Sequence, residues 1–108
     1  MNSCVFCKIV GGEIPKKFDY VDDEIVAFPD INPLRPIHIL IIPKAHIEDF
    51  FHADKETIFA ISSAIKKLID KKKLMGKGYK VTVNGGGAQE VGHLHFHLIA
   101  PVGRATTE

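Results

Sequence analysis

The sequence predicts an α+β domain: an antiparallel sheet of about five strands with one long and one short helix. Three observations carry this. Strand-like runs outnumber helical ones, and they bracket one long stretch whose apolar residues recur at helical spacing. Near the C-terminus, His93-Leu94-His95-Phe96-His97-Leu98-Ile99 alternates strictly between imidazole and apolar side chains, which is the period of a strand. No repeat, linker or low-complexity segment divides the 108 residues, so residues 1–108 read as a single domain.

The elements follow in chain order. Cys4 to Ile14 holds a short helix, broken at Gly11-Gly12 and stopped by Pro15. Phe18–Val21 and Ile25–Phe28 flank Asp22-Asp23-Glu24 and read as a β-hairpin. Asp30 to Pro36 is loop, with Asn32-Pro33 and Pro36 as breakers. His38–Ile42 is a continuous apolar run that suits a central strand. Asp54 is a good N-cap with Glu56 in the first turn, and Ile58, Ile61, Ile65, Leu68 and Ile69 form one stripe. Gly76 or Gly78 is expected to end this long helix after a basic last turn. Tyr79–Val83 is a strand with Tyr79, Val81 and Val83 on one face. The histidine strand comes last. Both helices are expected over its Leu94, Phe96 and Leu98 face, with the histidines facing a pocket.

Composition excludes several function classes. The net charge is +1, which leaves no electrostatic footprint for a nucleic-acid partner. Lys71-Lys72-Lys73 reads as a solvated helix end. No apolar run approaches the ~20 residues of a membrane span. Met1 to Cys7 lacks the basic and apolar regions of a signal peptide, so a cytoplasmic location is expected.

Half of the six histidines lie in the five residues His93 to His97, on one face of a strand. Three readings are open: solvated surface imidazoles, a metal site, or chemistry on an anion. At ~3.4 Å per residue, His93 and His97 are ~13 Å apart along a strand. Metal–imidazole bonds are only ~2 Å long, so one ion cannot gather all three rings, although an adjacent pair can chelate. Neutral imidazole is a nucleophile, a hydrogen-bond donor and a proton carrier near pH 7. A row of imidazoles can attack phosphorus, hold its oxygens and move a proton, and this reading fits best. Gly85-Gly86-Gly87, just upstream, allows close backbone approach and can aim amide N–H groups at an anion, or can form a simple turn. Cys4 and Cys7 in a C-x-x-C spacing read as metal ligands, a redox pair or two unliganded thiols; a zinc site would need histidine to complete it.

Taken together, these residues resemble the histidine triad (HIT) superfamily, Hint-type branch. The triad run carries the signature. Phe6 to Pro15, Ala27 to Ile31, His38 to His46 and Gly78 to Asn84 match in order along the chain. The resemblance implies a nucleotide-binding hydrolase or transferase with a purine nucleotide or nucleotidyl substrate. It would cleave nucleoside phosphoramidates or related compounds at the α-phosphate through a nucleotidyl–histidine intermediate. Dinucleoside polyphosphate hydrolysis, or nucleotide binding with little chemistry, are the alternatives.

By position, the resemblance makes His95 the nucleophile and His97 the hydrogen-bond donor to a phosphate oxygen. His93 anchors the row, and His38 is the fourth active-site histidine and a candidate for proton delivery. Asp30 matches the ribose-binding acid. Phe6, Ile9, Phe28 and Ile31 match base-pocket positions. Asn84, Gln89 and Glu90 match polar positions near the phosphate and leaving group. Bacterial members with an N-terminal C-x-x-C bind structural zinc, which maps here to Cys4, Cys7, His46 and His93. The resemblance also implies a homodimer, joined through the long helix and the Tyr79–Val83 strand into a ten-stranded sheet. The chain departs from the branch in three places. The 84–89 loop is short. Glu90 stands where many members have Ser or Thr. Gly92 replaces a bulky residue.

Overall fold

The structure, a computed structural model, describes residues 3–104. The elements are α1 (Val5–Val10), β1 (Tyr20–Val21), β2 (Ile25–Pro29), β3 (Ile37–Pro43), a 3-10 turn (Phe50–His52), α2 (Lys55–Lys71), β4 (Lys80–Val83) and β5 (Phe96–Ala100). The strands form one antiparallel sheet in the order β1-β2-β3-β5-β4. The last strand therefore enters between β3 and β4. That insertion places the histidine strand beside His38.

The two faces of the sheet are sorted by residue parity. Ile25, Ala27, Ile39, Ile41, Leu98 and Ala100 pack under α2 with Ile61, Ala64, Ile65 and Leu68. Val26, Phe28, Leu40 and Ile42 point the other way. The expectation that both helices cover the first face is corrected here: only α2 does. Phe6 and Ile9 are one turn apart on α1, and this apolar edge docks on Val26, Phe28, Leu40 and Ile42. The short helix thus stands on the histidine face and walls the site.

Among the element ends that differ from the sequence reading, two are set by packing. Asp54 caps α2 as expected, accepting the Thr57 N–H at 2.8 Å. The helix ends at Lys71, however, and not at a glycine. Lys73 takes the left-handed conformation (φ 57°). Lys73 N–H bonds the Asp70 carbonyl and Leu74 N–H the Ile69 carbonyl, at 3.1 and 3.0 Å. This is a Schellman closure. Fully buried Leu74 anchors it, so core packing overrides the usual glycine preference at that position.

The second boundary is the histidine strand, expected over 93–99 and observed over 96–100. The β3–β5 register ends at Ile41 opposite Phe96. The next ladder positions reach toward Pro43, which has no N–H to give. The chain peels away instead, and Leu94 N–H bonds the Ile47 carbonyl at 2.6 Å. Alternation survives the departure: Leu94 remains in the core, and His93 and His95 remain on the opposite side.

Candidate active site

The imidazole row is fixed atom by atom by hydrogen bonds. His95, 5% exposed, donates its Nδ1–H to the His93 carbonyl at 2.8 Å. Its Nε2 is therefore the bare, nucleophilic nitrogen. His38 accepts the Leu34 N–H on Nδ1 at 3.0 Å, so its proton is on Nε2. That proton faces His97 Nδ1 at 2.9 Å and Asp30 Oδ2 at 3.3 Å. His97 then carries its own proton on Nε2. The sheet register makes this chain, because His38 pairs with Ile99 and Leu40 with His97, leaving His38 and His97 as same-face diagonal neighbours.

Electrostatics reinforce the assignment. Burial lowers the His97 pKa below its ordinary 6.5, and the neighbouring His95 and His38 lower it further. A second proton on the pair would set two N–H groups against each other across 2.9 Å. Burial likewise lowers the His93 pKa, opposed by its hydrogen bond to Pro43. Burial thus disfavours the charged form of His93 and His97, and a neutral imidazole is the form that can donate one hydrogen bond and accept another.

A cavity of about 250 Å³ opens over this row. His95 and His97 line one part, and Phe6, Ile9, Phe28 and Leu40 make an apolar cleft. Phe6 touches the His95 ring edge-on, with centroids 5.1 Å apart. Asp30, Ile31 and Glu90 also line the cavity. His93 is fully buried behind the row. His38 lines a neighbouring cavity with Asp30.

Asn84 and Gln89 do not line this cavity, and the glycine loop is not an anion cradle. Gly86 N–H is committed to Asp49 Oδ2 at 2.8 Å, and Gly87 N–H to Gln89 Oε1 at 2.9 Å. Gln89 also donates to the Glu48 carbonyl. A Cβ on Gly85 would lie 2.9 Å from Asp49 Oδ1, so the glycine serves that close approach. The sequence reading missed Asp49 as the clamp, Leu34 as the donor to His38, and Lys16 and Asn32 as cavity residues. A backbone N–H or a loop carboxylate carries no local motif that would have marked it.

Cys4, Cys7, His46 and His93 bring four ligand atoms within 4.8 Å of one another. His93 donates Nε2–H to the Pro43 carbonyl at 2.8 Å, leaving Nδ1 bare and 3.5 Å from both sulfurs. His46 Nδ1 lies 3.2 Å from Cys7 Sγ. Tetrahedral zinc with ~2.3 Å sulfur and ~2.0 Å nitrogen bonds has sulfur–nitrogen edges of roughly 3.5 Å. The donor set and spacing fit that ion. Burial raises the Cys4 thiol pKa, and a bound cation would reverse that tendency.

These features define a class: a small α+β domain with a hydrogen-bonded imidazole row under a cavity and a Cys2His2 cluster behind it. A family model of the HIT domain matches residues 11–103, and the chain belongs to the HIT family. It is 42% identical to a HIT family hydrolase of Legionella pneumophila, with TM-score 0.86, covering 97% of this chain and 96% of that one. A histidine triad nucleotide-binding protein of Candida albicans superposes with TM-score 0.85 at 35% identity, covering 98% and 85%. A 14 kDa zinc-binding protein of Brassica juncea is 38% identical over 101 residues, 88% of this chain and 89% of that protein.

Proposed function

We propose that this protein hydrolyses nucleoside phosphoramidates, or closely related nucleotidyl compounds, at the α-phosphate through a nucleotidyl–His95 intermediate. The observation that carries the reading is the His95 Nδ1–H bond to the His93 carbonyl, which leaves Nε2 as the attacking atom beside the His97 donor. The hydrolase and nucleotide-binding relatives support the substrate class.

In the first step the Nε2 lone pair forms a bond to phosphorus. The bond from phosphorus to the leaving nitrogen breaks, and its electron pair departs with the amine, which takes a proton from solvent. His95 keeps its Nδ1 proton and becomes a nucleotidyl-imidazolium, its charge against the His93 carbonyl. Water then attacks phosphorus, the P–Nε2 bond breaks, and the lone pair returns to the ring with release of a nucleoside monophosphate and a proton. Splitting the displacement in two lowers each barrier. His97 Nε2–H holds a non-bridging oxygen. His38 faces His97 rather than the cavity, so its geometry supports orienting that ring over delivering a proton. The apolar cleft of Phe6, Ile9 and Phe28 takes the purine, with Ile31 at its rim, and Asp30 takes the ribose hydroxyls.

His95→Asn is expected to lower turnover of an adenosine phosphoramidate by about a thousandfold or more while nucleotide still binds. Near-normal turnover, or an adduct trapped on His97, would refute the assignment. Structural zinc on Cys4, Cys7, His46 and His93 is part of the same reading, supported by the fit of the cluster and the zinc-binding relative.

A homodimer completes it. Ile58, Ile65, Ile69, Tyr79, Val81 and Phe96 line an open apolar groove of about 320 Å³ between α2 and β4. A two-fold partner there would cover it and extend the sheet through β4 to ten strands. Light scattering at micromolar concentration should give twice the 12.0 kDa of one chain; a monomer mass that persists on concentration would eliminate the pairing.

A further inference from the structure

The ionisable groups lining the cavity have separable positions. Lys16 Nζ stands over the Phe28 ring, 5.5 Å from its centroid, at the apolar end. The Asp30 carboxylate accepts the Asn32 N–H at 2.9 Å and lies 3.3 Å from His38 Nε2. His95 and His97 face the phosphate position. Glu90 alone among them is exposed and enters no hydrogen bond or ion pair among the described residues. With base, ribose and phosphate assigned to the other groups, the remaining part of a nucleotidyl substrate is its leaving group, and the charge left to meet it is negative.

Resting on the phosphoramidate reading above, we infer that Glu90 selects the leaving group by charge, favouring amines that carry an additional cationic group and rejecting anionic ones. A carboxylate accepts hydrogen bonds and cannot donate them. It attracts an ammonium, tolerates a neutral alkyl chain and repels a carboxylate or phosphate. The natural substrate class is therefore a nucleoside 5′-phosphoramidate of a diamine-like or basic-side-chain amine. A dinucleoside polyphosphate, whose leaving group is a polyanion, is disfavoured by the same charge.

The test uses three adenosine phosphoramidates of equal chain length, ending in an ammonium, a methyl or a carboxylate. The wild-type protein should show kcat/KM falling in that order, by about threefold to tenfold per step at low salt. Glu90→Gln should bring the three within about twofold of one another, and Glu90→Lys should invert the order. At 1 M salt, where the screening length is about 3 Å, the wild-type ratios should shrink, which a purely steric role would not produce. Equal discrimination in wild type and Glu90→Gln would overturn the inference.

Affinities of the three compounds for the His95→Asn protein, with and without Glu90→Gln, read the same discrimination without turnover. If wild type cleaves none of the compounds but the affinities still order by charge in a Glu90-dependent way, the hydrolase reading fails and the charge selection stands. If wild type cleaves all three equally and they bind equally, the charge selection fails and the hydrolase reading stands.

Discussion

Among the described residues, two side-chain clusters gather ligand-type atoms within 4.8 Å: Cys4, Cys7, His46 and His93 in one, Asp30, His38 and His97 in the other. By residue type and spacing both resemble metal sites. They differ in what lies behind the rings. The Pro43 carbonyl takes the Nε2 proton of His93 and leaves Nδ1 bare toward the sulfurs. The Leu34 N–H occupies Nδ1 of His38 and so keeps a proton on the nitrogen that faces the cluster. A metal at His38 Nε2 would require moving that proton onto Nδ1, against a second N–H. The first arrangement therefore fits a ligand set and the second a hydrogen-bond relay. The partner of the far nitrogen, a backbone atom in both cases, decides which.

The largest effect should come from breaking the first cluster. Cys4→Ser with Cys7→Ser is expected to take zinc from one per chain to none by elemental analysis and to lower Tm by about 10 °C or more. His38→Ala should leave the zinc content of one per chain unchanged. If zinc content instead follows His38, the distinction between the clusters collapses. A wild-type protein purified without chelators that carries no zinc would remove the ligand reading altogether.

Breaking the relay should have an intermediate effect. His38→Ala orphans the Leu34 N–H and His97 Nδ1, so turnover should fall by about tenfold to a hundredfold with nucleotide affinity little changed. Nitrogen-15 NMR should show His97 moving from the Nε2–H tautomer to a mixture. An unchanged His97 tautomer would mean that the ring is held by something other than His38.

The smallest effect concerns pH. Burial first, then the neighbouring His95 and His38, holds the His97 pKa below 6.5. Between the lowered value and 6.5 the unfolded chain binds a proton that the folded one refuses. Stability should therefore be intact above 6.5 and decline as pH falls below it. Denaturant midpoints measured stepwise from pH 7.5 to 5, with histidine NMR alongside, check the sign. A His97 that titrates at or above 6.5 would break the neutral relay.

Much of this was legible in the residues themselves. Strict alternation at His93–Ile99 put the imidazoles on one face even though the ladder begins only at Phe96. The Asp54 cap and the isoleucine stripe located α2. The C-x-x-C spacing flagged Cys4 and Cys7 as candidate ligands, and the fold brings His46 and His93 to them. Other features depended on residues distant in sequence. Leu74 ends α2 because the core under β3 and β5 takes its side chain, which no local signal records. The glycine triplet looked like an anion loop, yet Asp49 and Gln89 hold its amides. The face chosen by α1 followed from the apolar set of opposite parity on β2 and β3.

The sequence by itself determined which side chains share a face and which chemistry they can perform, because strand and helix periodicity are local properties of the backbone. Only the tertiary structure decided which nitrogen of each imidazole carries the proton. That choice rests on single backbone atoms: Leu34 N–H for His38, the Pro43 carbonyl for His93, and the His93 carbonyl for His95. Strand order and loop path bring those atoms to the rings. A backbone N–H or carbonyl is the same in every residue that has one, so its role is set by where the fold places it.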